Sequence, residues 1–73
     1  MSNHRQYVIK STDANGDVTY ARVKYKKQGN VWLLQGKVAW SVIGGTVMEK
    51  TAAAAIIAQM TWPKGCKVTI EKA

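Results

Sequence analysis

The segment that follows a pair of glycines and ends before Pro63 constrains the fold most, because no other segment reads as a helix. Thr46 and Glu49 have the capping-box spacing, in which the hydroxyl accepts a hydrogen bond from a backbone N–H three residues later and the carboxylate reaches back. Four successive alanines add strong helix propensity, and proline disfavours continuation. The sequence therefore predicts a helix that runs from Val47, after its Thr46 cap, to Trp62.

Apolar side chains surround most of this predicted helix. At 100° per residue, one flank contains Ala53, Ile56, Ile57 and Met60, and another contains Val47, Ala54, Ala58 and Trp62. A helix that is apolar most of the way round is usually covered on more than one side. A small sheet covers one side, so we predict an oligomer or partner interface on the other, at Ala54, Ala58 and Trp62.

The length and composition indicate one small domain. The 73 residues form a single domain, with residues 1–4 predicted as a flexible N-terminus. Hydrophobic residues make up 47% of the chain, which is too many for a disordered tail. No apolar run approaches the roughly 20 residues that span a bilayer, so we expect no membrane contact. The single Cys66 cannot close an internal disulfide, which fits an intracellular, cytoplasmic location.

Positive charge is concentrated in one part of the chain. The formal net charge is +7, and residues 18–48 contain no carboxylate. Such a field favours an acidic partner. If that partner is nucleic acid, the residues to suspect in this run are Arg22, Lys24, Lys26, Lys27 and Lys37.

The N-terminal residues predict a hairpin with two alternative registers. In the first, Ala14-Asn15 form a type I turn with Gly16 as the left-handed bulge residue, so that Ile9 pairs with Ala21 and Tyr7 with Val23. In the second, a two-residue Asn15-Gly16 turn mixes charge into the apolar face. We prefer the first register, because it separates an apolar face from a basic face that consists of Val8, Lys10, Tyr20, Arg22, Lys24 and Lys26.

The remaining chain adds two extended segments to the hairpin and helix. Residues 31–43 are extended, and Trp32, Leu34, Val38, Trp40 and Val42 share the parity that should face the helix. Gly36 marks either a bulge in one long strand or a turn between two short strands. The alternation after Cys66 predicts a last strand, either central or at an edge. The layout is β-β-β-α-β, an α+β fold with an antiparallel sheet and one helix on one face.

No arrangement of residues predicts catalysis. Asp13, Asp17, Glu49 and Glu71 belong to a turn, a helix cap and a terminal strand, so no pair is placed for acid and base roles. One histidine, His4, and one cysteine cannot supply a zinc site. We therefore predict no enzyme activity, no cofactor and no metal. The glycine pair at 44–45 lacks the rest of a phosphate-binding loop and reads as a hinge.

The pattern of the chain resembles small phage-encoded accessory proteins, among them some anti-CRISPR proteins. The resemblance rests on the hairpin that begins Tyr7-Val8-Ile9-Lys10, the alanine-rich helix over residues 52–58 and the closing strand over residues 67–71. It implies an inhibitor that occupies a macromolecular surface in an infected bacterial host. Many such inhibitors are acidic, and the charge of +7 departs from that habit.

Two functions follow from these features. The first is a non-enzymatic binding protein that acts on a nucleoprotein or protein complex through its basic sheet face, with a homodimer through the helix. The alternative is direct binding of DNA or RNA by the hairpin's basic face, where Tyr20 stacks on a base among the cations. An ordinary solvated face explains the same residues.

Overall fold

The computed structural model describes residues 6–73, so the predicted flexible terminus, including His4, lies outside the described residues. Within that range the elements are β1 (Tyr7–Thr12), β2 (Val18–Gln28), β3 (Val31–Ser41), α1 (Lys50–Gln59) and β4 (Lys67–Lys72). The strands form one antiparallel sheet in the order β3-β2-β1-β4, which confirms the predicted α+β layout and places β4 at an edge. No helix in this range has the length and apolar character that crossing a membrane requires.

The β1–β2 hairpin adopts the preferred register. Lys10 lies opposite Tyr20 and Thr12 opposite Val18. Gly16 has a φ of 86° and donates its N–H to the Asp13 carbonyl at 3.0 Å. The Asp13 carboxylate also accepts the N–H groups of Asn15 and Asp17, each at 2.9 Å. The short polar side chain and the glycine therefore close the turn as their chemistry predicts.

The pairing of β1 with β2 stops earlier than predicted. Beyond Lys10 and Tyr20 the strands diverge, and an extended segment over residues 45–48 lies between them. Thr46 donates its N–H to the Ala21 carbonyl at 3.0 Å, and Met48 exchanges two backbone hydrogen bonds with Tyr7. The predicted pairs of Tyr7 with Val23 and of Ile9 with Ala21 are thus replaced by contacts with this inserted segment.

The predicted capping box was wrong, and the helix is shorter than predicted at both ends. The Thr46 hydroxyl accepts from the Val23 N–H at 2.9 Å and donates to the Val23 carbonyl at 3.2 Å, so it serves β2 and not the helix. Glu49 occupies the N-cap position and makes no side-chain cap. At the other end Met60 is already extended, so Trp62 lies beyond the helix.

Gly45 is needed for this insertion because the chain passes close to β2. A Cβ atom at Gly45 would lie 2.7 Å from the Ala21 carbonyl oxygen and 2.9 Å from the Tyr20 Cβ. No side chain fits there without displacing backbone. The predicted hinge role therefore misses the reason for this glycine, which is close backbone approach.

Residues 31–41 form one strand with a bulge, which settles the alternatives at Gly36. The register between β2 and β3 shifts between Arg22, which lies opposite Ala39, and Lys24, which lies opposite Gln35. Three residues of β3 therefore oppose the single Val23, and Gly36 has a φ of 68°. Positive φ at a bulge is a conformation that glycine adopts without strain.

The core lies between the sheet and one flank of α1. Its buried residues are Ile9, Ala21, Val23, Met48, Ala52, Ala53, Ile56 and Met60. Half-buried side chains pack around it, including Trp32, Leu34, Val38 and Trp40, as the strand parity predicts. Val42, predicted to share that face, lies past the end of β3 and is exposed. Full burial of an Ile, Val or Met side chain stabilises the folded state by about 1.5–3 kcal/mol, so this layer is the main source of stability.

The Thr46 hydroxyl provides a test of the inserted segment. We expect Thr46→Val to lower the free energy of unfolding by about 1–3 kcal/mol, because it leaves the half-buried N–H and carbonyl of Val23 without partners. Urea unfolding followed by tryptophan fluorescence measures the change. The exposed Thr51, which lies in the first turn of the helix, is the matched control, and Thr51→Val should change stability by less than about 0.5 kcal/mol. Equal midpoints for the two variants would contradict the role given to Thr46.

Candidate functional site

The strand register gathers cations on the sheet face that points away from the helix. Residues directly opposite one another in antiparallel strands share a face. Lys10 therefore shares a face with Tyr20, and the alternation of β2 adds Arg22, Lys24 and Lys26. Lys67 of β4 lies opposite Thr12 and joins them. We call this the basic face, which consists of Lys10, Tyr20, Arg22, Lys24, Lys26 and Lys67.

Lys67 is a member of the basic face that the sequence analysis missed. The alternating pattern of the last strand was visible in the sequence, but the face of the sheet on which Lys67 lies relative to Lys10 depends on which strand β4 joins. Pairing of β4 with β1 aligns Lys67 with Thr12 and so with the outward parity of Lys10. Without the strand order, no local signal could assign it to this face.

A depression at the bulge of β3 brings three of the predicted residues together. It encloses about 420 Å³ and is lined by Arg22 and Lys24 of β2 and by Gln35, Gly36 and Lys37 of β3. No carboxylate belongs to its lining. Because Gly36 carries no side chain, the depression stays open between the cations. Guanidinium, ammonium and amide donors around an open space form a suitable site for a phosphate or carboxylate oxygen.

Glu71 neutralises part of the charge at one end of the basic face. Its carboxylate lies 3.0 Å from the Lys10 ammonium. The hydrogen bond and the charge of Glu71 raise the pKa of Lys10 above its ordinary value. Within residues 6–73, Arg22, Lys24 and Lys26 have no such acidic partner. The free positive charge of the face is therefore concentrated along β2.

Lys27, one of the nucleic-acid candidates in the acid-free run, does not lie on the basic face. It lies opposite Trp32, on the parity that faces the helix, and its ammonium is 5.1 Å from the centre of the indole ring. Trp32 also contacts the ring of Tyr25 edge to face, with the ring centres 5.5 Å apart. This cation–π contact holds the Lys27 ammonium beside Trp32. Lys37, the other predicted cation outside the basic face, lines the depression beside Arg22 and Lys24.

The aromatic residues contribute little to the basic face. Trp32 and Trp40 pack against the core on the other side of the sheet, as predicted. Trp62 follows the helix and is 37% exposed. Among the described residues, Tyr20 is the one aromatic side chain whose strand parity places it on the basic face. Base stacking, if a nucleic acid binds here, is therefore limited to one ring.

The outer flank of α1 is open to solvent. Ala54 and Ala58 are exposed, whereas Ala52, Ala53 and Ile56 on the inner flank are buried. The sheet thus covers one side of the helix and leaves the predicted interface residues uncovered. This accessibility is a requirement for an interface there, and the prediction of an interface itself stays untested.

The residues with reactive side chains are dispersed. Cys66 is half-buried beside a smaller cavity of about 190 Å³ that Asp13 and Asp17 also line. Asp13 already accepts two backbone hydrogen bonds in the hairpin turn. Within residues 6–73, no three side chains of histidine, cysteine, aspartate or glutamate converge on one point.

Comparison of the chain with protein-family models, curated proteins and solved structures finds no match.

The ion pair on the basic face provides a test of its electrostatics. We expect Glu71→Gln to lower the pKa of Lys10 toward its ordinary value, because the carboxylate stabilises the ammonium form. Heteronuclear NMR titration of the Lys10 Cε resonance measures this change. An unchanged Lys10 pKa would show that the pair does not persist in solution.

The two flanks of α1 provide a second test. Ala53 is fully buried and Ala54 is exposed, although both occupy the middle of the helix. We expect Ala53→Glu to unfold the protein, because a carboxylate would enter the core. Ala54→Glu should keep the fold, with a change within about 0.5 kcal/mol. Circular dichroism and urea unfolding distinguish the two, and sedimentation of Ala54→Glu and Ala58→Glu shows whether a dimer depends on this flank. Unfolding by Ala54→Glu would contradict the observed orientation of the helix.

Proposed function

We propose that the chain is a small, non-enzymatic binding protein that places its basic face on the phosphates of a nucleic acid, either free or within a nucleoprotein complex. The observation that carries this proposal is the alignment of Arg22, Lys24 and Lys26 along one strand, with Lys37 beside them and no acidic side chain paired with them in the described residues. Phosphates dominate the affinity of such contacts.

The geometry of β2 suits a row of phosphates. Alternate residues of a strand are about 6.6 Å apart, so Arg22 and Lys26 stand about 13 Å from each other. A nucleic-acid strand advances about 3.4 Å per nucleotide along the axis of a duplex, so this row extends over about four nucleotides. Arg22 adds a planar, bidentate donor, whereas the lysines act as point charges.

The same face supports low sequence specificity. Tyr20 offers one ring for stacking, and the cations contact the backbone that every sequence shares. A binding protein of this kind finds its position through a partner or through shape rather than through base edges. A nucleoprotein target, in which a protein supplies the specificity, therefore agrees with the face better than a particular base sequence does.

A role as a phage-type inhibitor is a narrower form of this proposal. The resemblance to phage accessory proteins supports it, and a position in the cytoplasm of an infected bacterium follows from that resemblance. A homodimer through Ala54 and Ala58 would place two basic faces on opposite sides of one assembly. These three statements stay predictions of the sequence pattern.

Charge reversal on the basic face tests the proposal. Fluorescence anisotropy of labelled duplex and single-stranded DNA, over a series of salt concentrations, measures the affinity and its salt dependence. With about four phosphate contacts we expect the logarithm of the binding constant for duplex DNA to fall with a slope of about −3.6 against the logarithm of salt concentration. We expect the double variant Arg22→Glu with Lys24→Glu to reduce the magnitude of this slope by about 1.8. Its affinity for DNA at low salt should also fall severely.

A matched double variant separates the face from the total charge. Lys50→Glu with Lys64→Glu changes the net charge equally, and both lysines are exposed outside the sheet. This control should retain most of the affinity. Equal losses for the two double variants would show that binding depends on net charge alone, and absence of DNA binding by the unaltered protein at low salt would remove direct nucleic-acid contact.

A further inference from the structure

β3 is an edge strand, and a side chain closes only part of its open edge. It pairs with β2 on one side, and no strand lies on its other side within the described range. The Leu34 N–H donates to Gln59 Oε1 at 3.0 Å, and Gln59 Nε2 donates to the Trp32 carbonyl. The amide of Gln59, at the end of α1, therefore takes the place that one residue of a neighbouring strand would occupy.

The second half of the edge, residues 37–41, is open. The Ala21 carbonyl accepts a hydrogen bond from the Thr46 N–H, on the side of β2 that faces away from β3. Ala21 and Trp40 are thus a pair without mutual hydrogen bonds, and Trp40 directs its N–H and carbonyl to the outer edge. Ala39 pairs with Arg22, so the Val38 carbonyl, which points opposite to the Ala39 N–H across a planar trans peptide, is also directed to the outer edge. Within residues 6–73, no side-chain amide hydrogen-bonds these groups as Gln59 does those of Trp32 and Leu34.

Two different surfaces flank the open half of the edge. On the helix side lies a depression of about 410 Å³ with a mixed lining, in which the apolar side chains are Leu34, Val38, Trp40 and Met60 and the polar ones are Lys37, Gln59 and Thr61. On the other side lies the depression with Arg22 and Lys24, and Lys37 lines both depressions. An extended segment beside β3 would direct successive side chains to these two sides in turn. Apolar contact is available on the helix side, whereas most of the positive charge lies on the other.

We propose that residues 37–41 of β3 bind an extended peptide segment in which acidic and apolar residues alternate, by addition of that segment as a further antiparallel or parallel strand. Backbone hydrogen bonds to Trp40 and to the Val38 carbonyl would supply affinity, and the two flanking surfaces would select the alternation. Acidic side chains would meet Arg22, Lys24 and Lys37. This site shares Arg22 and Lys24 with the proposed function and adds the open edge of β3, and it takes a protein partner.

A second copy of the chain fits this edge less well than an acidic segment does. Each copy has a net charge of +7. Pairing of β3 with β3 would bring Lys37 of each copy into adjacent strands, with Arg22 and Lys24 of β2 one strand further in on each side. This accumulation of like charge opposes the pairing. An acidic segment has the opposite effect, because it neutralises the same cations.

Three peptides of about eight residues, the length of an ordinary strand, test the proposal on the full chain. The first alternates glutamate and valine, the second has the same composition with the glutamates and valines in separate blocks, and the third alternates lysine and valine. We expect the alternating acidic peptide to bind about tenfold more tightly than the block peptide, and the lysine peptide not to bind. NMR titration of the ¹⁵N-labelled protein measures the affinities.

Amide hydrogen exchange locates the contact. The acidic alternating peptide should slow exchange of the Trp40 amide by about tenfold, because that N–H gains a partner. The Lys26 amide, which lies within the β2–β3 ladder, should not change. Lys37→Glu should weaken binding of the peptide about tenfold, whereas Lys64→Glu should not, and both lysines are exposed, so both variants should fold.

Two results would overturn the proposal. Equal affinities for the alternating and block peptides would show that charge alone binds them. Protection of the Trp40 amide that rises with protein concentration in the absence of peptide would assign the edge to a second copy. Failure of DNA binding leaves both results interpretable, because the preference for alternation and the protection of the Trp40 amide depend on the edge of β3, which DNA binding does not require.

Discussion

The insertion of residues 45–48 between β1 and β2 is the constraint on which the rest of the structure depends. Thr46 hydrogen-bonds Ala21 and Val23 of β2, while Met48 hydrogen-bonds Tyr7 of β1. These contacts satisfy backbone groups that would otherwise lose their partners where the two strands diverge. They also fix the position at which the chain enters α1, two residues after Met48. The flank of the helix that carries Ala52, Ala53 and Ile56 is thereby directed at the core.

The same insertion explains where prediction from the sequence succeeds and fails. The hairpin register was predictable, because Asp13, Asn15 and Gly16 have local preferences that select one turn. The parity of Trp32 and Trp40 was predictable for a similar reason, since alternation alone assigns them to a face. The role of Thr46 was not predictable. A threonine three residues before a glutamate matches the capping-box pattern, and nothing local in the sequence shows that its hydroxyl instead makes a tertiary hydrogen bond. Its actual partner, Val23, is distant in the sequence and becomes available only after the strands diverge.

The basic face shows the same division. Arg22, Lys24 and Lys26 were predictable from the alternation of a single strand, and the absence of acidic residues over residues 18–48 marked the region. The positions of Lys67 and Lys27 relative to this face were not predictable, since the first depends on the order of strands and the second on the register that places it opposite Trp32. Gly36 was visible as an irregularity, but its consequence, an open space among three cations, requires the pairing of β2 with β3.

The half-closed edge of β3 links the charge of the protein to its behaviour in solution. Open strand edges promote association between identical chains, and charge on the strand and its neighbours opposes it. In the free protein, the net charge of +7 opposes contact between the open edges of different molecules. A polyanion bound to the basic face, as we propose, would cancel this repulsion and leave the edge beside it open. The proposed complex would therefore self-associate more readily than the free protein, and copies bound side by side on a long polyanion would cluster.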